Sequence, residues 1–315
     1  MSTSTIKLLK DCFSLKDTAE ILNQAFVDYV IPYTVTELSL QQKITSDYVM
    51  AEYSIGLFNK DTGALEGFIL HAANHHQHPT QLYNSITGII PAARGRAVER
   101  CYTMLRPHFE SLGIQSIVLE AVSSNDRAVR AYEKSGFATK RLLHCYKGKI
   151  SKDALAQVLA SKRTPDIRVQ KVSQLSPQLY EFMLAPPQSA DDKTPVMVPA
   201  WSSTTISCKR EFDIGVNAIW TATTTDENGK DIIVGYVSMN ASNYRLRQLY
   251  VLPQFRNKNI ASTLINTVAS NFDASTNYNI IIDETFDNLT NFFTKRLGLS
   301  LLFTLNEMFL EYNKA

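Results

Sequence analysis

The sequence predicts an α/β protein of the α+β type, built from two tandem copies of one domain. Short apolar strands alternate with amphipathic helices, and the order of elements in the first half returns in the second. The length of 315 residues fits two domains of roughly 150 residues each. Two further motifs recur at one fixed spacing, which indicates a duplicated domain.

The first half contains clear signals for the start and end of its elements. Ser14 and Asp17 form a capping pattern at a helix start. Pro91 closes a strand because proline lacks the N–H of a sheet ladder, Pro107 predicts a helix kink, and Gly136 ends a helix as a left-handed cap. The predicted strands are residues 5–9, 51–58, 64–73, 81–90, 116–121 and 137–147, and the predicted helices are residues 15–26, 36–44, 96–112 and 126–135.

The second half repeats this order. Residues 149–165 are predicted to form a charged, helix-prone linker that stops at Pro165. Ser176 and Pro177 then start a helix in the favoured cap and first-turn order, and residues 186–199 are predicted to be a loop. The predicted strands are residues 167–172, 218–223, 232–240, 248–252, 279–283 and 301–311, and the further predicted helices are residues 202–210, 260–272 and 288–297.

The internal repeat has a constant spacing. The pairs separated by 162 residues are Pro91 and Pro253, Arg94 and Arg256, Gly136 and Gly298, and Phe137 and Leu299. The pair Gly67 and Gly235 is separated by 168 residues, so the following loop is six residues longer in the first half. We predict an N-terminal domain of residues 1–148, a linker of residues 149–165 and a C-terminal domain of residues 166–315.

Composition excludes several classes of protein. Apolar residues make up 44% of the chain and charged residues 20%, which suffices for a core in each half. The net charge of +2, without a long basic run, argues against a nucleic acid ligand. Four dispersed cysteines and the lack of an apolar leader or span predict a cytoplasmic protein without a membrane partner. We expect a monomer or homodimer. We expect no metal site, although a loop holds a histidine cluster of His71, His75, His76 and His78.

The chain is organised around residues 248–268, which read as a strand, a loop and the start of a helix. Ile260, Leu264 and Val268 recur every fourth residue and mark one helix face. The loop from Arg256 to Ala261 feeds the helix N-terminus, where backbone N–H groups lack partners and the helix dipole is positive. These properties predict a phosphate site.

At this loop the chain resembles the Gcn5-related N-acetyltransferase (GNAT) superfamily, whose pyrophosphate loop reads Gln/Arg-x-x-Gly-x-Gly/Ala. Arg256 matches the first position and Ala261 the last, while Asn259 stands where glycine is usual. Asparagine tolerates a positive φ, so this departure is mild. The segment from Asn125 to Phe137 resembles the second family motif, Asn-x-x-Ala-x-x-x-Tyr-x-x-x-Gly-Phe.

The resemblance covers nearly the whole chain and implies two GNAT folds. Each would be a mixed, mostly antiparallel sheet, splayed between two parallel strands and flanked by helices. An acyl-CoA, most simply acetyl-CoA, would lie in the splay with its pyrophosphate on the loop. The residues implied for this cofactor are Tyr250, Val251, Leu252, Arg256, Asn257, Lys258, Asn259, Ile260 and Ala261 in the second half, and Ile89, Ile90, Arg94, Gly95, Arg96, Ala97 and Asn125 in the first.

Each half has one family motif that matches well and one that matches poorly, and the well-matched motif is a different one in each half. In the family, the tyrosine equivalent to Tyr132 often protonates the leaving thiolate; the alternative is that Tyr132 only packs in the core. The second half has Thr294 at this position, which cannot serve as such an acid. The first half carries Glu99 in its phosphate loop, where a carboxylate repels an anion. We therefore predict the second half as the acyl-CoA site.

General bases are less clear from the sequence. Glu120, Asp283 and Glu284 stand at strand ends beside the expected splay and could take an amine proton through water. The alternative is that they cap helices or are solvated. Tyr250 is either a core aromatic or a substrate wall. Trp201 precedes a short helix that lines the acceptor pocket in GNAT folds, and it either contacts substrate or packs between elements.

The resemblance implies an acyl-CoA-dependent N-acyltransferase that acts on a primary amine. The alternative is a non-catalytic protein that binds CoA or a partner and is built from degenerate GNAT domains. A third interpretation places the chemistry in the first domain through Tyr132. The sequence does not identify the acceptor or the length of the acyl chain.

Overall fold

The computed structural model describes residues 4–161, 166–185 and 197–312 and confirms the α/β fold class. Pro165 and residues 186–196 of the predicted loop lie outside the described residues. The elements are β1 (Ser4–Leu8), α1 (Leu15–Ala25), α2 (Glu37–Asp47), β2 (Ile55–Asn59), β3 (Leu65–Ala73), β4 (Gln81–Ile89), α3 (Ala97–Ser111), β5 (Ser116–Val122), α4 (Asp126–Lys134), β6 (Ala138–Lys149), α5 (Lys152–Ser161), β7 (Arg168–Lys171), α6 (Pro177–Leu184), α7 (Thr205–Asp213), β8 (Asn217–Thr225), β9 (Asp231–Asn240), β10 (Arg245–Val251), α8 (Ile260–Ser270), β11 (Asn277–Asp283), α9 (Asp287–Asn291) and β12 (Ser300–Glu311).

Local signals account for most of these boundaries. Ser14 caps α1 by accepting a hydrogen bond from the Asp17 N–H at 3.2 Å, and Ser176 caps α6 in the same way through the Leu179 N–H. Residues Ala51–Tyr53 form a 3-10 turn instead of the predicted strand. The last predicted helix is a short α9 that continues as a π-helical turn over Phe292–Arg296. Within the described ranges, no helix has the length and apolar character needed to cross a bilayer.

The chain divides into two compact units whose composition differs from the predicted domains. The first unit contains residues 1–142 and 304–315, and the second contains residues 143–303. The sheet order is β1-β2-β3-β4-β5-β12 in the first unit and β6-β11-β10-β9-β8-β7 in the second. The predicted ranges of 1–148 and 166–315 are therefore incorrect for the last strand of each half, because β12 pairs with β5 and residues 143–149 of β6 pair with β11.

The predicted linker is an element of the second unit's core. Residues Lys152–Ser161 form α5, and its Leu155 is fully buried in the same apolar cluster as Leu264 of α8. The Asn259 side chain also donates a hydrogen bond to the Val158 carbonyl of α5 at 3.1 Å. Burial of Leu155 removes apolar surface from water, so α5 stabilises the fold and does more than connect two halves.

The internal repeat extends to atomic detail. Pro91 and Pro253 each begin a 3-10 turn after a strand. Arg94 Nε donates to the Ile89 carbonyl at 3.2 Å, and Arg256 Nε donates to the carbonyl of Val251 at 3.1 Å. Each of these contacts spans five residues at equivalent positions, which supports the duplication that the spacing predicted.

Both sheets open between their two parallel strands, as the resemblance implied. In the first unit, β4 and β5 pair only from Gln81 to Tyr83 on the β4 side, although both strands continue. In the second unit, β10 and β11 pair only at Arg245 and Leu246 of β10. Beyond these pairs the strands diverge and leave a seam in each unit, which we call the first and second seams.

Candidate cofactor and acceptor site

The loop between β10 and α8 forms a cradle of backbone groups. After the 3-10 turn Pro253–Phe255, Asn257 and Asn259 both adopt left-handed conformations, with φ of 58° and 63°. Asparagine tolerates this region better than most residues, so Asn259 fills the place that glycine usually takes. Its side chain donates to Val158 of α5 instead of capping α8. The first N–H groups of α8 therefore have no side-chain cap from their own N-cap residue, an arrangement that suits an anion.

Positive and aromatic side chains border this second cradle. The Arg256 guanidinium lies 5.9 Å from the ring centre of Tyr250, and Lys258 Nζ lies 5.2 Å from that of Phe255. Tyr250 is half-buried and packs against Phe182 at a ring-centre distance of 6.0 Å. Tyr250 thus packs against the core and also contacts the Arg256 guanidinium through a cation–π interaction.

Anchoring residues keep the second cradle in place. Ile260 is buried at the first position of α8, and Ala261 follows it half-buried. On the strand side, the Leu252 N–H donates to the Val234 carbonyl at 2.9 Å, and Val251 pairs with Gly235 of β9. A side chain at Gly235 would put a Cβ only 2.7 Å from the Tyr250 carbonyl oxygen, so glycine is required there.

The arginines of the equivalent loop in the first unit are paired with carboxylates of the chain itself. Arg94 donates from Nη1 and Nη2 to the two oxygens of Asp28, both at 2.6 Å, and also to the Ala25 carbonyl at 2.8 Å. Arg127 donates to the same carboxylate at 3.0 Å. Hydrogen bonds from Arg94 and then Arg127 hold the pKa of Asp28 well below its usual value. We call Asp28, Arg94 and Arg127 the Asp28 clasp.

The remaining loop residues of the first unit continue this pattern. Arg96 forms a bidentate ion pair with Glu99. Gly95 has a φ of 100°, while Ala97 is buried as the first residue of α3. The predicted loop residues therefore lie together at the start of α3, but both arginines pair with carboxylates. Ile89 is buried and the half-buried Ile90 donates its N–H to the Glu66 carbonyl at 3.0 Å.

Tyr132 lies at the first seam. Burial raises the pKa of its phenol, and hydrogen bonding to Thr87 and Asn84 acts in the opposite direction. Asn84 directly follows Tyr83, the last β4 residue paired with β5, and donates to Thr87 Oγ1 at 2.9 Å. Asn125 caps α4 by accepting from the Ala128 N–H at 3.2 Å, and this cap positions Tyr132 on the helix.

A second polar cluster of the first unit was not predicted. Lys43 Nζ lies 2.6 Å from Asp47 Oδ2, and Ser85 donates to the same oxygen at 2.6 Å. Burial is the largest single effect and lowers the pKa of Lys43, but Asp47, with smaller contributions from Tyr33 and Glu120, acts in the opposite direction, and the pKa is raised overall. Glu120 therefore lies close enough to Lys43 to interact with it. Lys43 and Asp47 are four residues apart, the spacing of one helix face, but the predicted helix of residues 36–44 ends before Asp47.

The three predicted bases have different surroundings. Glu120 of β5 stands opposite Glu307 of β12, whose carboxylate accepts hydrogen bonds from Arg141 at 2.5 and 2.7 Å. Asp283 is buried at the end of β11, and its Oδ1 accepts from the N–H and hydroxyl of Thr285 at 2.9 and 2.7 Å. This arrangement is the turn-capping alternative for Asp283. Glu284 is exposed beside it.

The predicted acceptor face of the second unit holds a buried polar layer between α7 and the sheet. Trp201 is half-buried on the 3-10 turn Trp201–Ser203, and the Ser203 carbonyl accepts from Gln248 of β10 at 3.0 Å. Arg247 of β10 forms a buried bidentate ion pair with Glu211 of α7. This pair was missed because its partners are separated by 36 residues and neither belongs to a motif.

The histidines do not form the predicted cluster. His71 lies in β3, not in the loop, and is fully buried, with Nδ1 2.8 Å from the Tyr53 carbonyl and Nε2 3.2 Å from Tyr102 Oη. Burial lowers its pKa to about 4. The part of the chain that the structure describes contains no group of three or more His, Cys, Asp or Glu side chains placed to hold a metal ion.

Comparisons with known proteins agree with this architecture. Residues 200–296 match the family model for an acetyltransferase (GNAT) domain. A GCN5-related N-acetyltransferase from Sphaerobacter thermophilus is 14% identical, over 99% of this chain and 96% of that chain, with a TM-score of 0.61. A tandem GNAT protein from the clavulanic acid biosynthesis pathway is 9% identical, over 99% of each chain, with a TM-score of 0.63.

A more distant similarity involves a protein solved with an acyl-CoA. An N-myristoyltransferase from Saccharomyces cerevisiae with bound myristoyl-CoA is 13% identical, over 100% of this chain and 80% of that chain, with a TM-score of 0.53. A comparison with curated protein sequences found no match. At these identities the solved structures establish the fold.

Proposed function

We propose that this chain, whose fold is two GNAT domains in tandem, transfers an acyl group from acyl-CoA to a primary amine, and that the second unit holds the cofactor. The observation that carries the proposal is the second cradle beside the second seam. Backbone N–H groups, Arg256 and Lys258 are suited to a diphosphate there. The seam offers strand edges to an extended amide chain such as pantetheine.

The residues present fit such a cofactor. The loop 256–261 would hold the diphosphate, and the left-handed Asn257 and Asn259 shape it. When bound, acyl-CoA supplies a thioester. Transfer forms a C–N bond from the amine to the acyl carbon and breaks the C–S bond. The amine loses one proton and the released thiolate gains one. Positioning of the amine is the largest part that the protein would contribute.

A specific observation favours the second candidate, a protein that binds CoA without catalysis. Thr294 occupies the position of Tyr132 and donates its hydroxyl to the Thr290 carbonyl at 2.8 Å. Asp283 is used in a turn with Thr285. At the predicted positions the second unit thus offers no phenol acid, and its remaining carboxylate, Glu284, is exposed to solvent. Chemistry there would rely on water for proton transfer.

We also propose a cytoplasmic protein that acts as a monomer or homodimer on a small molecule or peptide amine, without nucleic acid. The four cysteines, all among the described residues, are thiols, and three of them are buried. Thiols of this kind suit a reducing compartment.

The proposal is tested by exchange of one residue between the two cradles. Ala261 of the second unit corresponds to Glu99 of the first, at the spacing of 162 residues. Ala261→Glu places a carboxylate in the second cradle, yet an acidic residue in a first helical turn favours the helix itself. We expect wild-type protein to gain thermal stability with CoA and to release thiol from acetyl-CoA with an amine panel. Ala261→Glu should lose both responses.

The matched control is Glu99→Ala, which removes the corresponding carboxylate from the first unit and should retain both responses. Stabilisation by CoA without thiol release for any amine would favour the non-catalytic candidate. Loss of turnover in Tyr132→Phe, with Ala261→Glu still active, would instead assign the chemistry to the first unit. A melting temperature indifferent to CoA would contradict both candidates.

A further inference from the structure

Arg247 stands where the second seam opens. It is the extra residue of a β-bulge, because the ladder between β10 and β9 shifts register between Leu246 and Gln248. Leu246 is also the last residue of β10 that pairs with β11. The bulge turns Arg247 and Gln248 toward the same face of the sheet, since Arg247 bonds Glu211 of α7 and Gln248 bonds the turn before α7.

The bonding of Arg247 is incomplete. Its side chain is only 6% exposed, and Nε and Nη2 both donate to the Glu211 carboxylate, with the Nε distance at 3.1 Å. Asn240 Nδ2 donates to the same carboxylate at 2.9 Å. Arg247 Nη1 is buried and has no hydrogen-bond partner among residues 197–312 or in the other described ranges. A buried donor left unpaired destabilises the fold, so a group that pairs with it is expected.

A second unpaired donor lies on the element that covers this face. The Ser202 hydroxyl is buried and, within the described parts of the chain, has no partner. Ser202 belongs to the 3-10 turn whose Ser203 carbonyl accepts from Gln248, the residue after Arg247. The two unpaired donors therefore lie on the two elements that enclose the polar layer. Arg247 Nη1 is on β10, and the Ser202 hydroxyl is on the turn before α7.

Arg247 also belongs to a charged environment on this face. Burial is the main cause that raises the pKa of the Cys208 thiol to about 12, and Arg247 acts on that thiol in the opposite direction. The guanidinium is held by Glu211 but keeps the Nη1 donor unused. A bound carboxylate would accept from Arg247 Nη1 in a charge-assisted hydrogen bond.

We propose that Arg247 and Ser202 form the subsite for a carboxylate of the acceptor, so that the acceptor is an amine of the amino acid class. This inference rests on the proposed N-acyltransferase function and specifies its substrate. Glu211 holds the guanidinium in place through the bidentate pair, and Nη1 recognises the ligand. The carboxylate is bound on the α7 face at the mouth of the second seam.

The test compares amines that differ only in the carboxylate. The probes are glycine, L-phenylalanine and L-lysine, each paired with its carboxamide, and the full-length chain is used with acetyl-CoA. We expect each amino acid to exceed its amide by about tenfold or more in kcat/KM and in affinity, measured by thermal shift in the presence of CoA. Arg247→Lys keeps a cation beside Glu211 but removes the planar fork, and the preference should fall below about threefold.

The matched control is Arg141→Lys, the same change in the partly buried Arg141–Glu307 pair of the first unit, and it should keep the full preference. Equal handling of acids and amides by wild-type protein, or an undiminished preference in Arg247→Lys, would overturn the inference. A preference in binding without thiol release would support the subsite and count against the acyltransferase proposal. Thiol release at equal rates with each amino acid and its carboxamide would support the acyltransferase proposal and count against the subsite.

Discussion

At the scale of single residues, a few side chains distinguish two cradles that share one backbone plan. Arg94 and Arg256 make the same hydrogen bond to a carbonyl five residues earlier. Arg94 then places its remaining donors on Asp28. Glu99 adds a second carboxylate at the position of Ala261. The first cradle thus resembles an anion site that already contains anions, and this explains why we assign the cofactor to the second.

The Asp28 clasp predicts a gain of function. Asp28→Ala with Glu99→Ala releases Arg94, Arg96 and Arg127 for an external phosphate. We expect this double change, made in the Ala261→Glu background, to restore CoA binding that calorimetry detects at one equivalent per chain. At a CoA concentration of about 100 times Kd, the added stability would be about 2.7 kcal/mol.

The control variant carries Asp61→Ala in place of Asp28→Ala. Asp61 is an exposed aspartate in the turn before β3. The control should not bind CoA in the Ala261→Glu background, because the Asp28 clasp remains closed. If the Asp28 variant also fails to bind, carboxylate occupancy is not what excludes CoA from the first unit.

His71 predicts the pH dependence of stability. Its pKa in the folded state is about 4, below the value of 6.5 that applies when the chain unfolds. The unfolded state therefore binds the proton more strongly, and stability is lost as the pH falls from about 6.5 toward 4. Between pH 7.5 and 4.5 we expect a loss of roughly 2–3 kcal/mol from this group, measured by urea unfolding.

His71→Gln isolates that contribution, because glutamine does not titrate and all other titratable groups are unchanged. The free energy of unfolding of the wild type should fall steadily toward that of the variant as the pH decreases below 6.5. Parallel pH profiles for the two proteins would show that the pKa of His71 is not lowered in the folded state and would contradict this prediction.

Residue-level features were predictable where the cause is local. The positive φ of Asn259 follows from a loop pattern read with the known tolerance of asparagine. The contact between Arg94 and Asp28 joins residues 66 positions apart, and nothing near either residue in the sequence indicates it. The Arg247–Glu211 pair was missed for the same reason. Capping and turn signals act over three or four residues, whereas these pairs depend on the complete fold.

At the scale of elements, the spacing of apolar residues predicts most helices and strands, but it does not predict what each element packs against. The segment 149–165 was predicted as a linker because it is charged and helix-prone and is followed by Pro165 as a stop. Its helix α5 nevertheless buries Leu155 completely and contacts the start of α8 through Asn259. One buried leucine and one backbone contact are enough to make a polar helix part of a core.

Leu155→Ala tests the role of α5. Removal of a fully buried leucine leaves a cavity, and we expect the free energy of unfolding of the second unit to fall by about 2–5 kcal/mol. Gln157→Ala on the exposed side of α5 is the control and should change stability by less than about 0.5 kcal/mol. Equal stability of the two variants in urea unfolding would restore the interpretation of α5 as a linker.

At the scale of the whole molecule, the duplication was readable but the pairing of the last strands was not. Strands β6 and β12 end corresponding halves and have similar alternating patterns, so sequence alone gives each of them the sheet of its own half. In the structure, residues 305–311 of β12 pair with β5, and residues 143–149 of β6 pair with β11. Each compact unit therefore contains a strand from the other half of the sequence.

This exchange predicts a reciprocal effect of two core substitutions. Met308 of β12 is fully buried in the first unit's core, and Tyr146 of β6 is buried in that of the second. Met308→Ala should therefore reduce amide hydrogen exchange protection in β4 and β5, and Tyr146→Ala should do so in β10 and β11, because local stability follows the core that each residue fills. Leu302→Ala, at an exposed position of β12, is the control and should leave both patterns unchanged. If Met308→Ala instead loosened the strands of residues 217–283, the boundaries predicted from the sequence would be correct and the exchange of strands would not exist in solution.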